Sequence, residues 1–492
     1  MVFICLLRKS RLPGTSGPLG LIWVSTRRIK WTFKPWGPEM AQKRKLHINV
    51  NVLRAGSHQG AWRAPYGPAA GYIDPAFFTE TAKVAERGLL NAVFFADGLS
   101  LDASIGKAPG YALDPIAVVA HMAAATQHIG FIATCSTTFT HPYTLARAFS
   151  SLDHLSRGRI GLNLVTTMYE GVAQNFGLKD LPQPEDRYAR AREFAEVLKD
   201  LWDSWEDDAL VLDRNTGRFA DQAKIHSIDY HGKFFDVAGP LQLPRSPQGR
   251  PLLVQAGASD PGRELAAHHA DAVFSVAQRL DEAQAYYADL KARTKRAGRD
   301  PDTIAILPGL SPIIGGTEAE AKARKKQLDE WAGIEGDEGA RDQLAIRIGV
   351  DPSDLPLDEP VSEIVLAKTS NWHRSVGFAQ ATLSLLRDRS LTVRDIVQQG
   401  GGHRRVVGTP EQIADAIEHW FVEGAADGFN IMNDVYPDGL ATFVDHVVPI
   451  LQKRELFRRE YEASTLRGHY GLVRPVSRFA PASAKIREAV PA

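Results

Sequence analysis

The fold this sequence predicts is an α/β barrel, a (β/α)8 TIM barrel with long insertions at its carboxyl-terminal mouth. Three observations predict it. Apolar runs of strand length recur along the chain, eight in number, and helix-like segments separate them. The runs are continuously apolar instead of alternating, as expected of a parallel sheet buried on both faces. No early GxGxxG turn opens the chain, which disfavours a doubly wound dinucleotide-binding sheet.

Taken in order, LHINVNV (46–52) is the first strand, and PAFFTETAKVAERGL follows with apolar residues at helical spacing. NAVFFAD (91–97), the helical DPIAVVAHMAAATQH and IGFIATCSTT (129–138) come next. TLARAFSSLDHLS leads to RIGLNLVTT (159–167), and RYARAREFAEVLKDLWDSW reads as a long amphipathic helix. PLLVQAGAS (251–259), DAVFSVA (271–277), TIAILPGLSPII (303–314) and GFNIMND (428–434) complete the eight. Two stretches break the rhythm. Residues 206–250 are rich in Gly, Pro and charge, and residues 315–402 carry helices without a barrel strand. Insertions of this length usually build the walls over a barrel's active site, so both are expected there.

The 492 residues balance Lys+Arg 58 against Asp+Glu 58, which removes the electrostatic case for a nucleic-acid binder. Cys5 and Cys135 are the only cysteines, too few for a disulfide framework or a cysteine-based zinc site, and they favour a reducing, cytoplasmic compartment. Residues 1–39 hold seven Lys/Arg against the single acid Glu39, and three of the nine tryptophans. Their apolar run precedes their charges, the reverse of a secretory signal, and LGLIWV is too short to span a bilayer. The working domain is expected to begin at Met40 and run to residue 472, with 473–492 as a tail and 1–39 as an extension; a targeting or interaction arm is the alternative for 1–39.

Catalytic groups of a barrel gather at the carboxyl ends of its strands. Asn51 ends the first strand, with His58 in the loop beyond it; Asp97 ends the second, Thr137 and Thr138 the third, Asn163 and Thr167 the fourth, Ala258 and Ser259 the fifth, Asn433 and Asp434 the eighth. There is no HExxH, GxSxG or P-loop among them, and HSIDYH (226–231) lies in an insertion without a carboxylate constellation. Hydroxyls, amides and backbone groups line a site that holds a cofactor and leaves the hard chemistry to it. In QAGASDPGRELA (255–266) a strand ends in Gly-Ala-Ser and a helix begins near Asp260-Pro261. That is either an anion site at a helix N-terminus, to which Arg263 adds charge, or an ordinary turn capped by Ser259 or Asp260. Tyr188 has a competing reading as a core aromatic, and Asp97 as a helix cap.

In combination, GSHQGAWR, FFAD, ATCSTTFTHPYTLARAFSSLDHLSRGRIGLNLVTT, NFG, RYARAREFAEVLKDLWDSWE, QAGASDPGRELAA, GTPEQIADAI and DGFNIM make Met40–Leu472 resemble the nitrilotriacetate / dibenzothiophene-sulfone monooxygenase family of bacterial-luciferase-like flavin enzymes. The resemblance implies a TIM barrel using reduced FMN supplied by a separate NAD(P)H:FMN oxidoreductase, with O2 as co-substrate and a flavin C4a-(hydro)peroxide inserting one oxygen atom into a small organic substrate. It implies FMN contacts at Asp97, Thr137 or Thr138, Asn163, Thr167, Tyr188, Ala258 and Ser259, and a homodimer or homotetramer. Relatives commonly carry a second serine where Ala258 stands and often a histidine where this chain has Pro184. His58, and less so His403 in GGGHRRVVGT, are the polar groups expected near the peroxide, and Gly400–Gly402 a hinge or a linker. The competing readings are an F420-dependent oxidoreductase, a non-catalytic flavin-binding protein and a metal-dependent barrel hydrolase.

Overall fold

Each apolar run becomes a strand: β1 His47–Asn51, β2 Ala92–Phe95, β3 Gly130–Ser136, β4 Ile160–Val165, β5 Leu252–Gln255, β6 Ala272–Ser275, β7 Ala305–Ile314 and β8 Gly428–Ile431. The structure is a computed structural model that describes residues 44–480, apart from 68, 102–104, 111–112, 169, 335, 370–375 and 400–401. The extension 1–39, the end of the tail, and Gly400 and Gly401 therefore lie outside the described residues.

Neighbouring strands pair in parallel around the ring, and it closes where β8 pairs with β1 (His47↔Gly428) and β6 with β7 (Ala272↔Ala305). Alternate side chains divide between two cores, as the pleat dictates. Phe94, Ile132, Val254 and Leu307 fill the barrel interior. Val93, Phe131, Leu162 and Phe429 point outward into the layer shared with the helices. The amino-terminal end is plugged by the segment around Leu466–His469. Tyr470 stacks on His47 with ring centroids 4.8 Å apart and donates a hydrogen bond to Asn49 Oδ1 at 2.8 Å. Arg467 pairs with buried Asp271, beside β6, at 2.8 Å. Among the described residues no helix is long and apolar enough to cross a membrane.

The two insertions differ in placement. Residues 206–250 form two short hairpins, Leu210–Asp213 with Arg218–Ala220 and Tyr230–His231 with Asp236–Val237. The helix Pro184–Asp203 has already carried the chain back to the barrel's amino end, so the insertion starts there and lies along that helix. Arg245 pairs with Asp203 at 3.0 Å, Glu193 accepts the Phe234 and Phe235 N–H groups, and Gln248 Nε2 donates to the carbonyl of Ile160, the first residue of β4. The second hairpin turns back along the helix to the mouth side, where Lys233 pairs with Asp186 at 3.0 Å and the Phe235 ring lies under Arg190 and edge-on to His141, so only the first part of 206–250 departs from the expected mouth wall. Residues 315–402 do stand over the mouth. The helix Glu318–Trp331 packs on the loop after β1, and the following helices have a core of their own around Leu344, Ile348, Leu385, Val393 and Ile396.

A ninth strand, Arg404–Gly408, was not expected. It pairs with the carboxyl half of β7, Leu310–Ile314, while the first half of β7 stays in the barrel against β6 and β8. β7 is ten residues long because it serves both partners.

Candidate active site

The ends of β3 and β4 are bound together through their hydroxyls. Thr137 Oγ1 and Thr138 Oγ1 donate to the carbonyls of Val165 and Thr166 at 3.2 and 2.9 Å. Thr167 Oγ1 reaches Ser136 Oγ at 2.7 Å, and Thr167 itself sits at φ 46. Ser136 also accepts the Thr138 and Phe139 N–H groups, which makes it the centre of this turn; the ATCSTT segment contains it, but sequence reasoning passed over it. Arg187, likewise missed, donates to the carbonyls of Thr166 and Thr167.

Inside the barrel, Asn163 donates from Nδ2 to Thr134 Oγ1 at 2.9 Å, and Thr134 in turn donates to the Phe95 carbonyl at 2.6 Å. Asn163 Oδ1 is buried and accepts from no described group, and the same is true of Asn51 Oδ1. A buried amide oxygen without a donor costs roughly 1–3 kcal/mol, so two of them facing one interior mark a space built for a molecule that brings N–H or O–H groups.

Beside this space lies the turn after β5. Ser259 caps the helix Asp260–His269, its Oγ accepting the Gly262 N–H at 3.3 Å. Tyr188, in the helix Pro184–Asp203, places its hydroxyl 2.8 Å from Ser259 Oγ. Gly262 keeps the cradle open, since a Cβ there would stand 3.1 Å from both Gly257 Cα and Ser259 Oγ and 3.4 Å from Tyr188 Oη. Ser259 is the cap, and its hydroxyl also faces a second polar group, Tyr188 Oη, across an open turn. Ala258 contributes only its carbonyl, which accepts from Arg263 Nε at 3.0 Å. Arg263 spans the back of the turn, its Nη1 paired with Asp289 at 2.8 Å and its guanidinium over the Tyr286 ring, so its charge is largely balanced there.

Asp97 follows β2, its carboxylate accepting the Gly98 N–H at 2.8 Å. Burial pushes its pKa up to about 6, opposed by that hydrogen bond and reinforced by Asp114. His58 does not aim a free nitrogen at the barrel. Its Nδ1 accepts the Gly60 N–H at 3.2 Å, which leaves the proton on Nε2, 3.1 Å from Asp329 Oδ1. Its imidazole fastens the loop after β1 to the helix Glu318–Trp331, so the expected direct role beside a bound oxygen species is corrected to one of positioning. His403 does lie over the barrel mouth, but at the start of a strand. Its ring stacks on Phe274 (4.8 Å, 9°) and meets Phe378 edge-on (4.8 Å, 79°). Gly309 makes room for it, because a Cβ there would lie 2.1 Å from His403 Nδ1. Burial lowers its pKa to about 3, so it is a neutral ring wedged between aromatics and not a proton carrier near neutral pH.

A cavity of about 470 Å³ at the opposite, amino-terminal end is lined by His47, Tyr287, Asp427 and Arg458 among others. The strand carboxyl ends do not reach it.

The profile of the Luciferase-like monooxygenase family matches residues 53–428. The chain belongs to that family. This luciferase-like monooxygenase is 41% identical to N-acetyl-S-(2-succino)cysteine monooxygenase of Bacillus subtilis (strain 168), over 89% of this chain and 99% of the relative. It is 40% identical to nitrilotriacetate monooxygenase component A of Aminobacter aminovorans, over 90% of this chain and 100% of the relative. Among solved structures it is similar to a riboflavin lyase with modified FMN and substrate riboflavin, at a TM-score of 0.75 and 30% identity over 90% of this chain and 99% of that one.

Proposed function

We propose that this monooxygenase binds reduced FMN delivered by a separate NAD(P)H:FMN oxidoreductase, uses O2 as co-substrate, and inserts one oxygen atom into a small organic substrate. The carrying observation is the paired hydroxyls of Tyr188 and Ser259 at the open N-terminus of the helix Asp260–His269. A phosphate monoester is what such a turn accommodates: two hydroxyl donors, first-turn N–H groups and the positive end of the helix. The orphaned Asn163 Oδ1 supports the same reading, because a flavin brings N–H and ribityl O–H donors into the interior.

When bound, the reduced flavin supplies the electrons that activate O2. The chain's own residues have simpler tasks. Ser259 and Tyr188 hold the phosphate. Asn163, with the hydroxyl knot of Ser136, Thr138 and Thr167, lines the interior beside it, where Thr137 serves to join β3 to β4. Asp97 supplies a carboxyl group that exchanges its proton near pH 6. Phe274, His403 and Phe378 make an aromatic wall that excludes water from the mouth, and the His58–Asp329 contact keeps the opposite wall in place.

Component A in the name of the nitrilotriacetate relative supports an oxygenating component that works with a second protein, and the FMN in the riboflavin lyase structure supports the choice of flavin. The test is an anaerobic titration with reduced FMN, followed by single-turnover mixing with 18O2 and a substrate panel. Saturable FMN binding and one labelled oxygen atom in a product are expected. Turnover that ignores O2 and proceeds with reduced F420 would assign the chain to the hydride-transfer branch.

A further inference from the structure

The strand Arg404–Gly408 extends the barrel's inner surface upward. Its odd and even residues face opposite ways, and the contacts identify the two sides. Arg404 lies over the Trp420 ring, 4.7 Å from its centroid, and Val406 packs on the outer core, so the even positions face the helices. His403 stacks on Phe274, and Val407 joins the cluster of Ala55, Ala61, Ile313 and Leu328, so the odd positions face the mouth. Arg405 stands between these two, opposite Ser311 in the β7 register, on the same face as Gly309 and Ile313.

The Arg405 guanidinium makes no hydrogen bond or ion pair with any described residue. Burial holds its pKa below the ordinary guanidinium value, and Asp329 is the one acid that pulls the other way. That carboxylate is already committed, with Oδ1 3.1 Å from His58 Nε2 and Oδ2 2.7 Å from Lys325 Nζ. The neighbouring cations of the same region are committed too: Arg324 to Asp434 and Asp438, and Arg63 to the Trp331 carbonyl. Arg404, on the other face, rests on the Trp420 ring with its Nη1 unbonded, and Arg405 is a mouth-facing guanidinium without a partner among the described residues, a charge awaiting an anion.

We propose that Arg405 is a specificity-determining residue that anchors one carboxylate of the substrate at the mouth, beside the aromatic wall of Phe274, His403 and Phe378. A guanidinium fork matches a planar carboxylate with two parallel N–H donors. A single such cation suits one carboxylate, whereas a phosphate dianion would call for a second. The substrate class is therefore a small acid whose oxygen-accepting atom lies on a less polar part that rests on the aromatic wall. This deepens the proposed oxygenase reading and rests on it for the word substrate, but the binding claim is tested without flavin.

The experiment is calorimetric titration of the flavin-free protein with acetate, succinate, nitrilotriacetate and the neutral nitrilotriacetamide. The wild type, Arg405→Met and Arg405→Lys are compared, and FMN affinity is measured on each. We expect the wild type to bind at least one carboxylate. Arg405→Met should weaken that binding 30- to 100-fold, on the order of a lost bidentate charge-assisted pair, and Arg405→Lys less than tenfold. The amide should bind both wild type and Arg405→Met alike, and FMN affinity should be the same in all three. The proposal is overturned if no carboxylate binds the wild type, if Arg405→Met binds carboxylates as the wild type does, or if both substitutions erode FMN affinity as much as carboxylate affinity. Carboxylate binding that depends on Arg405, in a protein that transfers no oxygen, would sink the oxygenase reading and leave the anchor standing.

Discussion

Tyr188 Oη and Ser259 Oγ meet at 2.8 Å although 71 residues separate them. One hydroxyl comes from a helix packed outside the barrel and the other from the turn that leaves β5. On the proposed function, their meeting makes a helix cap half of a phosphate cradle. Ser259→Ala should weaken reduced-FMN binding by about 1–2 kcal/mol, one charge-assisted hydrogen bond. Tyr188→Phe should do nearly the same, and the double variant should fall short of the sum because the two groups share a partner. Anaerobic fluorescence titration measures all three; unaltered affinity in both single variants would remove the cradle from the account.

If Asn163 Oδ1 receives a flavin donor, as proposed, its unpaired oxygen is a stability cost of the flavin-free protein. Asn163→Leu removes a buried acceptor that lacks a donor, while Thr134 keeps its bond to the Phe95 carbonyl. The flavin-free variant should gain about 1 kcal/mol in urea denaturation and lose at least tenfold in flavin affinity, roughly one net hydrogen bond. Loss of stability instead would mean that the bond from Asn163 Nδ2 to Thr134 Oγ1, also removed, outweighs the unpaired oxygen.

His58 and Asp329 act as one unit. Each alanine substitution should release the loop after β1, lowering product formed per flavin oxidised and raising hydrogen peroxide. The double variant should be no worse than either single one. Additive losses, or full coupling in His58→Ala, would separate the two residues.

The Asp97 carboxyl is shifted from its ordinary range up to about 6. Its proton is thus bound more tightly in the folded chain than in the unfolded one, where the pKa is about 3.9. The stability this contributes is complete below about pH 4 and is lost as pH rises through about 6. Because the group is partly exposed, the loss should be about 1–2 kcal/mol. Asp97→Asn should therefore gain on the wild type between pH 4 and pH 8 in chemical denaturation; a constant difference between the two proteins would refute the shift.

The barrel was legible because eight continuous apolar runs have no other economical arrangement. Arg404–Gly408 escaped because RRVVG shows an outward Arg404 and Val406 and an inward Arg405 and Val407, a mixture no period-2 pattern reveals. The insertion 206–250 was placed only in part, because sequence shows neither at which end of the barrel a helix delivers the chain nor that the hairpin Tyr230–Val237 returns to Asp186. Ser259 was readable from its turn as a helix cap. Tyr188 was not readable from periodicity alone, since an aromatic near a helix start looks the same whether it faces a core or a site. His58 was readable as a mouth residue, but its partner Asp329 lies 271 residues away, and only the folded chain shows that both ring nitrogens are occupied.

A crystal structure of the protein with FMN tests the central claim most directly. The phosphate should lie within hydrogen-bond distance of Ser259 Oγ and Tyr188 Oη, with a flavin or ribityl donor on Asn163 Oδ1. A flavin bound elsewhere, or a cradle left empty at saturating FMN, would contradict the account.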